Sequence, residues 1–171
     1  MTKPVLFLDI DGVIMPGSAW REETEEERAI RKERDGYLFP STIMSRLNTL
    51  VAQTGAQVCV SSTWRHDSRF RERFVDAGFE GAFHEDWRTD IDLNMTDGGL
   101  YINQARGDEI AAWLARHPEV TRWAIVDDDR DMLPEQFDRF VWTSFDIGLT
   151  EAAADKLKIL LQRQAGAISC S

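Results

Sequence analysis

A three-layer α/β fold, with a parallel sheet covered by helices on both faces, is what this 171-residue chain predicts. Three observations carry the expectation. Short apolar runs rich in branched and aromatic residues alternate with stretches of helical periodicity. Acidic and hydroxyl residues follow the carboxyl ends of those runs, which is where ligands gather in open α/β sheets. No internal repeat or low-complexity linker divides the chain, so residues 1–171 read as one domain.

The first strand is expected over residues 4–9, where Val5-Leu6-Phe7-Leu8 reads as buried on both faces. It runs into Asp9-Ile10-Asp11-Gly12-Val13, so two carboxylates share one side where strand gives way to loop. Residues 14–39 break the alternation with Trp20 and a charged run, Arg21-Glu22-Glu23-Thr24-Glu25-Glu26-Glu27-Arg28. A solvated helix or loop is the plain reading of such a run, and its place after Asp11 also makes it a candidate lid. A helix comes next, capped by Ser41 or Thr42, with Ile43, Leu47, Leu50 and Val51 on one face and Gly55 at its end. The second strand is 56–61. Asp67 is the expected cap of the next helix, which carries Phe70 and Phe74 and ends at Gly78. A weaker strand falls near 79–83, then an irregular connection over 84–106 holding Trp87, Asp90, Asp92, Gly98-Gly99 and Tyr101. Ile110, Trp113 and Leu114 mark a third helix that stops at His117-Pro118. Strands at 122–126 and 139–143 come next. A last helix begins after Gly148, capped by Thr150, with Leu157, Leu160 and Leu161 as its stripe.

Composition narrows the function classes. At 43% apolar residues, with six Trp and nine Phe, the chain can bury a full core. No run of about 18 apolar residues occurs, so no membrane-spanning segment or membrane partner is expected. The first residues enter a strand at once, leaving no room for a signal peptide. Cys59 and Cys170 make no disulfide framework, and a cytoplasmic setting is the simpler expectation. A net charge of −10 argues against binding nucleic acid through a wide basic surface, though a local basic patch stays open. No feature sets an oligomeric state.

Asp9, Asp11, Ser61/Ser62 and Asp127/Asp128 all close strands, so residues more than a hundred positions apart are expected in one crevice. Carboxylates there need a partner, and Mg2+ is the natural one, since it takes oxygen ligands and bridges to phosphate. Asp9 is placed to attack a phosphoryl group and form an aspartyl-phosphate, with Asp11 as acid and base. Asp127 and Asp128 complete the metal site with Asp9 and Asp11. Without a cation, such carboxylates repel one another and some take up protons. The transferring phosphoryl also needs donors and positive charge. Ser62 offers a hydroxyl, with Ser61 as the neighbour it is confused with and Thr63 beside them. Arg106 is the best placed cation and Arg65 the second. Taken singly, each motif has a plainer reading: a turn or cap for Ser61-Ser62-Thr63, an acidic turn for Asp127-Asp128-Asp129, a calcium loop for Asp9-x-Asp11-Gly12.

In this order the motifs resemble the haloacid-dehalogenase (HAD) superfamily of phosphatases, which implies a Rossmann-like, HAD-like sheet over nearly the whole chain. Ser62-Thr63-Trp64-Arg65, the run from Arg106 to Leu114 and Gly148-Leu149-Thr150 are more narrowly similar to the HAD domains of Swiss Army knife RNA repair proteins. Those are similar in turn to the phosphatase half of polynucleotide kinase–phosphatases. The resemblance implies Asp9 as nucleophile, Asp11 as acid/base, Ser62 and Arg106 as phosphate clamp, and Asp127 with Asp128 as metal acids. The superfamily usually carries Lys where Arg106 stands, and a planar fork is no simple replacement for a point charge. No large cap domain is present, which suits bulky substrates.

Other residues carry weaker signals. Arg65, His66, Arg69, Arg71 and Arg73 form either a solvated helix face or a patch for a nucleic-acid backbone. Trp64 and Trp87 can stack on a base or simply join the core. His84 and His117 lack metal-like partners, and mid-strand Cys59 reads as inert packing. The leading expectation is a Mg2+-dependent phosphomonoesterase acting on a nucleic-acid end or nucleotide. A small-metabolite or phosphoprotein phosphatase and a non-catalytic binding module are the alternatives.

Overall fold

The computed structural model describes residues 2–90 and 105–163. Five parallel strands, β1 (Val5–Leu8), β2 (Gln57–Val60), β3 (Ala82–Arg88), β4 (Trp123–Asp127) and β5 (Phe140–Trp142), lie in the order β3-β2-β1-β4-β5. β1 is central because it is wholly apolar and can be covered on both faces. Its side chains alternate between two cores. Leu6 and Leu8 pack with α3 (Ser41–Thr54), α4 (Phe70–Asp76) and α6 (Glu151–Gln162), while Val5 and Phe7 pack with α5 (Arg106–Arg116) through Ile110 and Trp113. This is the expected α/β sandwich of helix, sheet and helix, with no large cap among the described residues.

Three local expectations are corrected. The third strand lies at Ala82–Arg88, not 79–83, and takes up the start of the stretch read as irregular. It is an edge strand with partly exposed side chains, so it lacks the apolar run that marks its neighbours. Asp92, Gly98, Gly99, Tyr101 and Cys170 lie outside the described residues. Pro40, not Ser41 or Thr42, precedes the first turn of α3, and no side chain caps it. Proline's fixed φ suits a helix entry without a hydroxyl. Asp67 does not cap α4 directly. Its Oδ1 accepts from the Arg69 backbone N–H at 2.8 Å, one turn earlier, after a 3-10 turn over Thr63–His66.

Other signals land where they were read. Gly55 closes α3 at φ 67°, a left-handed conformation that Gly adopts without strain. Thr150 caps α6 by accepting from Ala153 N–H at 3.1 Å. The charged segment after Asp11 forms two short helices, α1 (Gly17–Glu22) and α2 (Glu25–Glu33). A Thr24–Glu27 capping box starts α2, which buries no residue, so the solvated reading holds for it. Gly17 N–H donates to the Phe145 carbonyl at 2.8 Å and ties α1 to the loop after β5. No helix among the described residues is long and apolar enough to cross a membrane.

Candidate active site

The carboxyl ends of β2, β1 and β4 lie side by side, and the strand register aligns the residue that comes after each. Asp9 N–H donates to the Val126 carbonyl at 3.1 Å and Ser61 N–H to that of Leu8 at 3.0 Å, so the ladder continues one residue past each strand. Ser61, Asp9 and Asp127 therefore form one row across three strands. Asp9, Asp127 and Asp128 each present an oxygen within 4.8 Å of the others. Residues 118 positions apart thus meet as the sequence suggests.

Arg106, first residue of α5, reaches both buried carboxylates. Its Nη2 lies 3.5 Å from Asp9 Oδ1 and its Nε 3.2 Å from Asp127 Oδ2. The helix start is fixed in turn, because Arg106 N–H donates to Asp131 Oδ2 at 2.9 Å. An arginine thus stands against two of the acids. Of the serine pair, Ser62 is the one whose side chain pulls the Asp9 carboxyl down. Ser61 is fully buried, and its Oγ finds no hydrogen-bond partner among the described residues. Thr63 is exposed at the start of the 3-10 turn.

Burial first, then the charge of Asp127, push the Asp9 carboxyl well above the usual carboxylate range, while Arg106 and Ser62 pull it down. Burial also raises Asp127, to about 6, against the pull of Arg106. Asp128 is raised by burial and by Asp129. One cation side chain is too little for three clustered acids. The donor set is all oxygen, and Asp127 Oδ2, though ion-paired with Arg106, is buried and accepts no hydrogen bond among the described residues, so the residues present fit a hard divalent cation. Gly12, at φ 71°, keeps the loop close to these acids: a Cβ there would lie 2.3 Å from Asp128 Cγ.

Asp11 is not a member of that cluster, though its charge raises Asp128. It is half-buried, and Trp64 Nε1 donates to its Oδ2 at 2.9 Å. Trp64 packs with Tyr37 and Phe39 against the core, and Trp87 stacks on Phe70 at 5.8 Å, so both are fixed in the fold instead of offered to a base.

Arg65 does not reach into the crevice as a free cation. Its Nη1 donates to the Ser61 carbonyl at 2.8 Å and its Nη2 to Glu109 Oε1 at 2.9 Å, both nearly buried. Arg65 thus holds the Ser61-Ser62 loop against α5, a positioning role. Glu109, bonded also by Thr89 Oγ1 at 3.1 Å, was not legible as part of the site. Its signal was only its place three residues after Arg106, one turn along the same helix. Removing one partner of such a pair strands a buried charge. Glu109→Leu is expected to destabilise the fold by about 3–5 kcal/mol, and Arg65→Met with Glu109→Leu to recover much of that, as read by urea unfolding. The rest of the basic stretch is largely neutralised: Arg69 pairs with Glu72, and Arg73 with Asp35 and Asp67. That favours the solvated-face reading over a backbone-binding patch.

Two further residues fasten the loops. Thr143 Oγ1 donates to the Gly12 carbonyl at 2.9 Å, and Trp142 Nε1 to the Asp128 carbonyl at 2.8 Å. Surface recesses of about 690 and 800 Å³ lie elsewhere, along α1–α3 and between α3 and α6, and include none of these acids. Charge, not apolar enclosure, defines this site.

No curated protein and no solved structure matches the chain. The family of the HAD domain in Swiss Army Knife RNA repair proteins matches residues 5–154. That span opens on the first residue of β1 and closes inside α6, so it encloses the whole sheet and every acid described above; the chain belongs to this HAD domain family.

Proposed function

We propose that the protein is a Mg2+-dependent phosphatase that hydrolyses a phosphomonoester through an aspartyl-phosphate on Asp9, with nucleic-acid ends or nucleotides as its substrates. One observation carries the reading: the buried Asp9 carboxylate is paired with Arg106, flanked by Asp127 and Asp128, and pulled down by Ser62. A nucleophile needs that environment, with donors for the phosphoryl oxygens on one side and metal acids on the other.

An Asp9 oxygen attacks phosphorus while the bond to the leaving oxygen breaks. Asp11 gives its proton to that oxygen. Water then attacks the phosphoryl group, Asp11 takes the water's proton, and the bond from phosphorus to Asp9 breaks to release inorganic phosphate. Ser62 and Arg106 bind the free phosphoryl oxygens through both steps. Trp64 holds the Asp11 carboxylate in place for both transfers. Mg2+, held by Asp9, Asp127 and Asp128, would supply charge neutralisation for nucleophile and phosphoryl group together.

The test compares 3′- and 5′-phosphorylated oligonucleotides, mononucleotides and sugar phosphates, with Mg2+ and with EDTA. Turnover is expected only with the metal, and fastest on the nucleotide-containing compounds. Turnover unaffected by EDTA would rule the metal out of the reaction, and equal or faster rates on sugar phosphates would rule out the nucleic-acid substrate.

A further inference from the structure

An exposed tryptophan stands at the end of the row that carries the acids. Asp127 pairs in register with Trp142 on the neighbouring edge strand, so Asp9, Asp127 and Trp142 lie on three adjacent strands. Two strand spacings separate Asp9 from Trp142, roughly 10 Å. A nucleobase stands one sugar away from its phosphate, a reach of the same order.

Trp142 is 56% exposed, whereas a large indole ordinarily gives its area to the core. Its orientation is nonetheless fixed, because Nε1 donates to the Asp128 carbonyl at 2.8 Å. The bond uses the edge of the ring and not its faces. The Arg130 guanidinium lies over that ring, 5.4 Å from its centroid. Arg130 is exposed and forms no ion pair with a carboxylate among the described residues. Of its acidic neighbours, Asp131 is engaged by the backbone of Arg106, and Asp129 is exposed. A pinned indole with a guanidinium laid on it offers flat, polarisable surface and positive charge together, beside a phosphoryl site. Nucleobases stack on both kinds of group.

We propose that Trp142 and Arg130 form a stacking platform for the nucleobase carried by the phosphate being hydrolysed, and so determine specificity for nucleotide-type substrates. This rests on the phosphatase reading above and deepens it. A pinned ring loses little freedom when a base lands on it, so the platform favours base-bearing phosphates over bare sugar phosphates.

The test uses a short single-stranded RNA with a terminal phosphate, the same RNA with an abasic phosphorylated terminal residue, and the matching mononucleotide. For each protein, the ratio of kcat/KM on the base-bearing RNA to that on the abasic RNA is measured, with Kd for both from fluorescence anisotropy. The wild type is expected to show a ratio of about five or more, and Trp142→Leu a ratio near one. Trp142→Phe keeps an aromatic face but loses the Nε1 bond to Asp128, so it should keep most of the ratio even where all rates fall. Arg130→Ala should lower the ratio partway. A mononucleotide preferred as strongly as the RNA assigns the platform to free nucleotides; a lower preference assigns it to nucleic-acid ends. A wild-type ratio of one, or an unchanged ratio in Trp142→Leu, overturns the proposal. If no substrate turns over, the phosphatase reading fails alone, and base-dependent Kd lost in Trp142→Leu still decides the platform.

Discussion

Asp9→Asn is expected to lose at least about 10³-fold in turnover of any phosphomonoester while remaining folded. An amide has no oxygen able to carry the phosphoryl group as an ester-like intermediate, so the two-step route closes. The fold should not suffer with it. Burial and the charge of Asp127 raise the Asp9 carboxyl, which means the metal-free protein bears a cost for keeping it ionised. A carboxyl raised in the folded state binds a proton more readily folded than unfolded. Its contribution is therefore favourable in acid and is lost as pH rises through the folded value. Asn has no such dependence, so in EDTA the variant should melt at or above the wild type, and its advantage should grow from acid toward neutral pH. Steady-state kinetics and thermal unfolding check both parts. Activity lost together with stability would mean that Asp9 is structural.

Asp11→Asn should cost about 10²–10⁴-fold, the range for a general acid and base. The geometry survives the change, since Trp64 Nε1 can donate to an amide oxygen as it does to Oδ2. The loss should depend on the leaving group. An alkyl alcohol needs a proton as it departs and should show the full defect, whereas an acidic phenol needs little help and should show less in the first step. Kinetics on a sugar phosphate and an aryl phosphate separate the cases. An equal loss on both would place Asp11 in binding and not in proton transfer.

Single residues show how far the sequence led. Asp9 and Asp127 were legible because each stands at the end of an apolar strand, and parallel strands bring their carboxyl ends together whatever the distance along the chain. Ser62 could not be told from Ser61 by type or spacing. Ser61 continues the ladder to Leu8, and it is Ser62, in the turn beyond it, that acts on the Asp9 carboxyl. Arg65 was readable as a cation near the site but not as a buried one, since its partner Glu109 comes from a helix beyond β3. Trp142 gave no signal at all: a tryptophan closing an apolar strand reads as core, and only the short edge strand β5 leaves it exposed. β3 was misplaced because an edge strand need not be apolar. Patterns that depend on burial on both faces were found. The side-chain contacts Arg65–Glu109 and Trp64–Asp11, made between elements, were not.

The most direct measurement is the fate of the phosphoryl group. Asp11→Asn is mixed with Mg2+ and an aryl phosphate, whose leaving group departs without the missing proton while the water step stays slow, then quenched in acid and digested, and its peptides are weighed. One phosphoryl group is expected on the peptide bearing Asp9, and none on that peptide from Asp9→Asn treated alike. Phosphate released by the wild type with no phosphoryl ever found on that peptide, or found on another residue, would contradict a covalent route through Asp9.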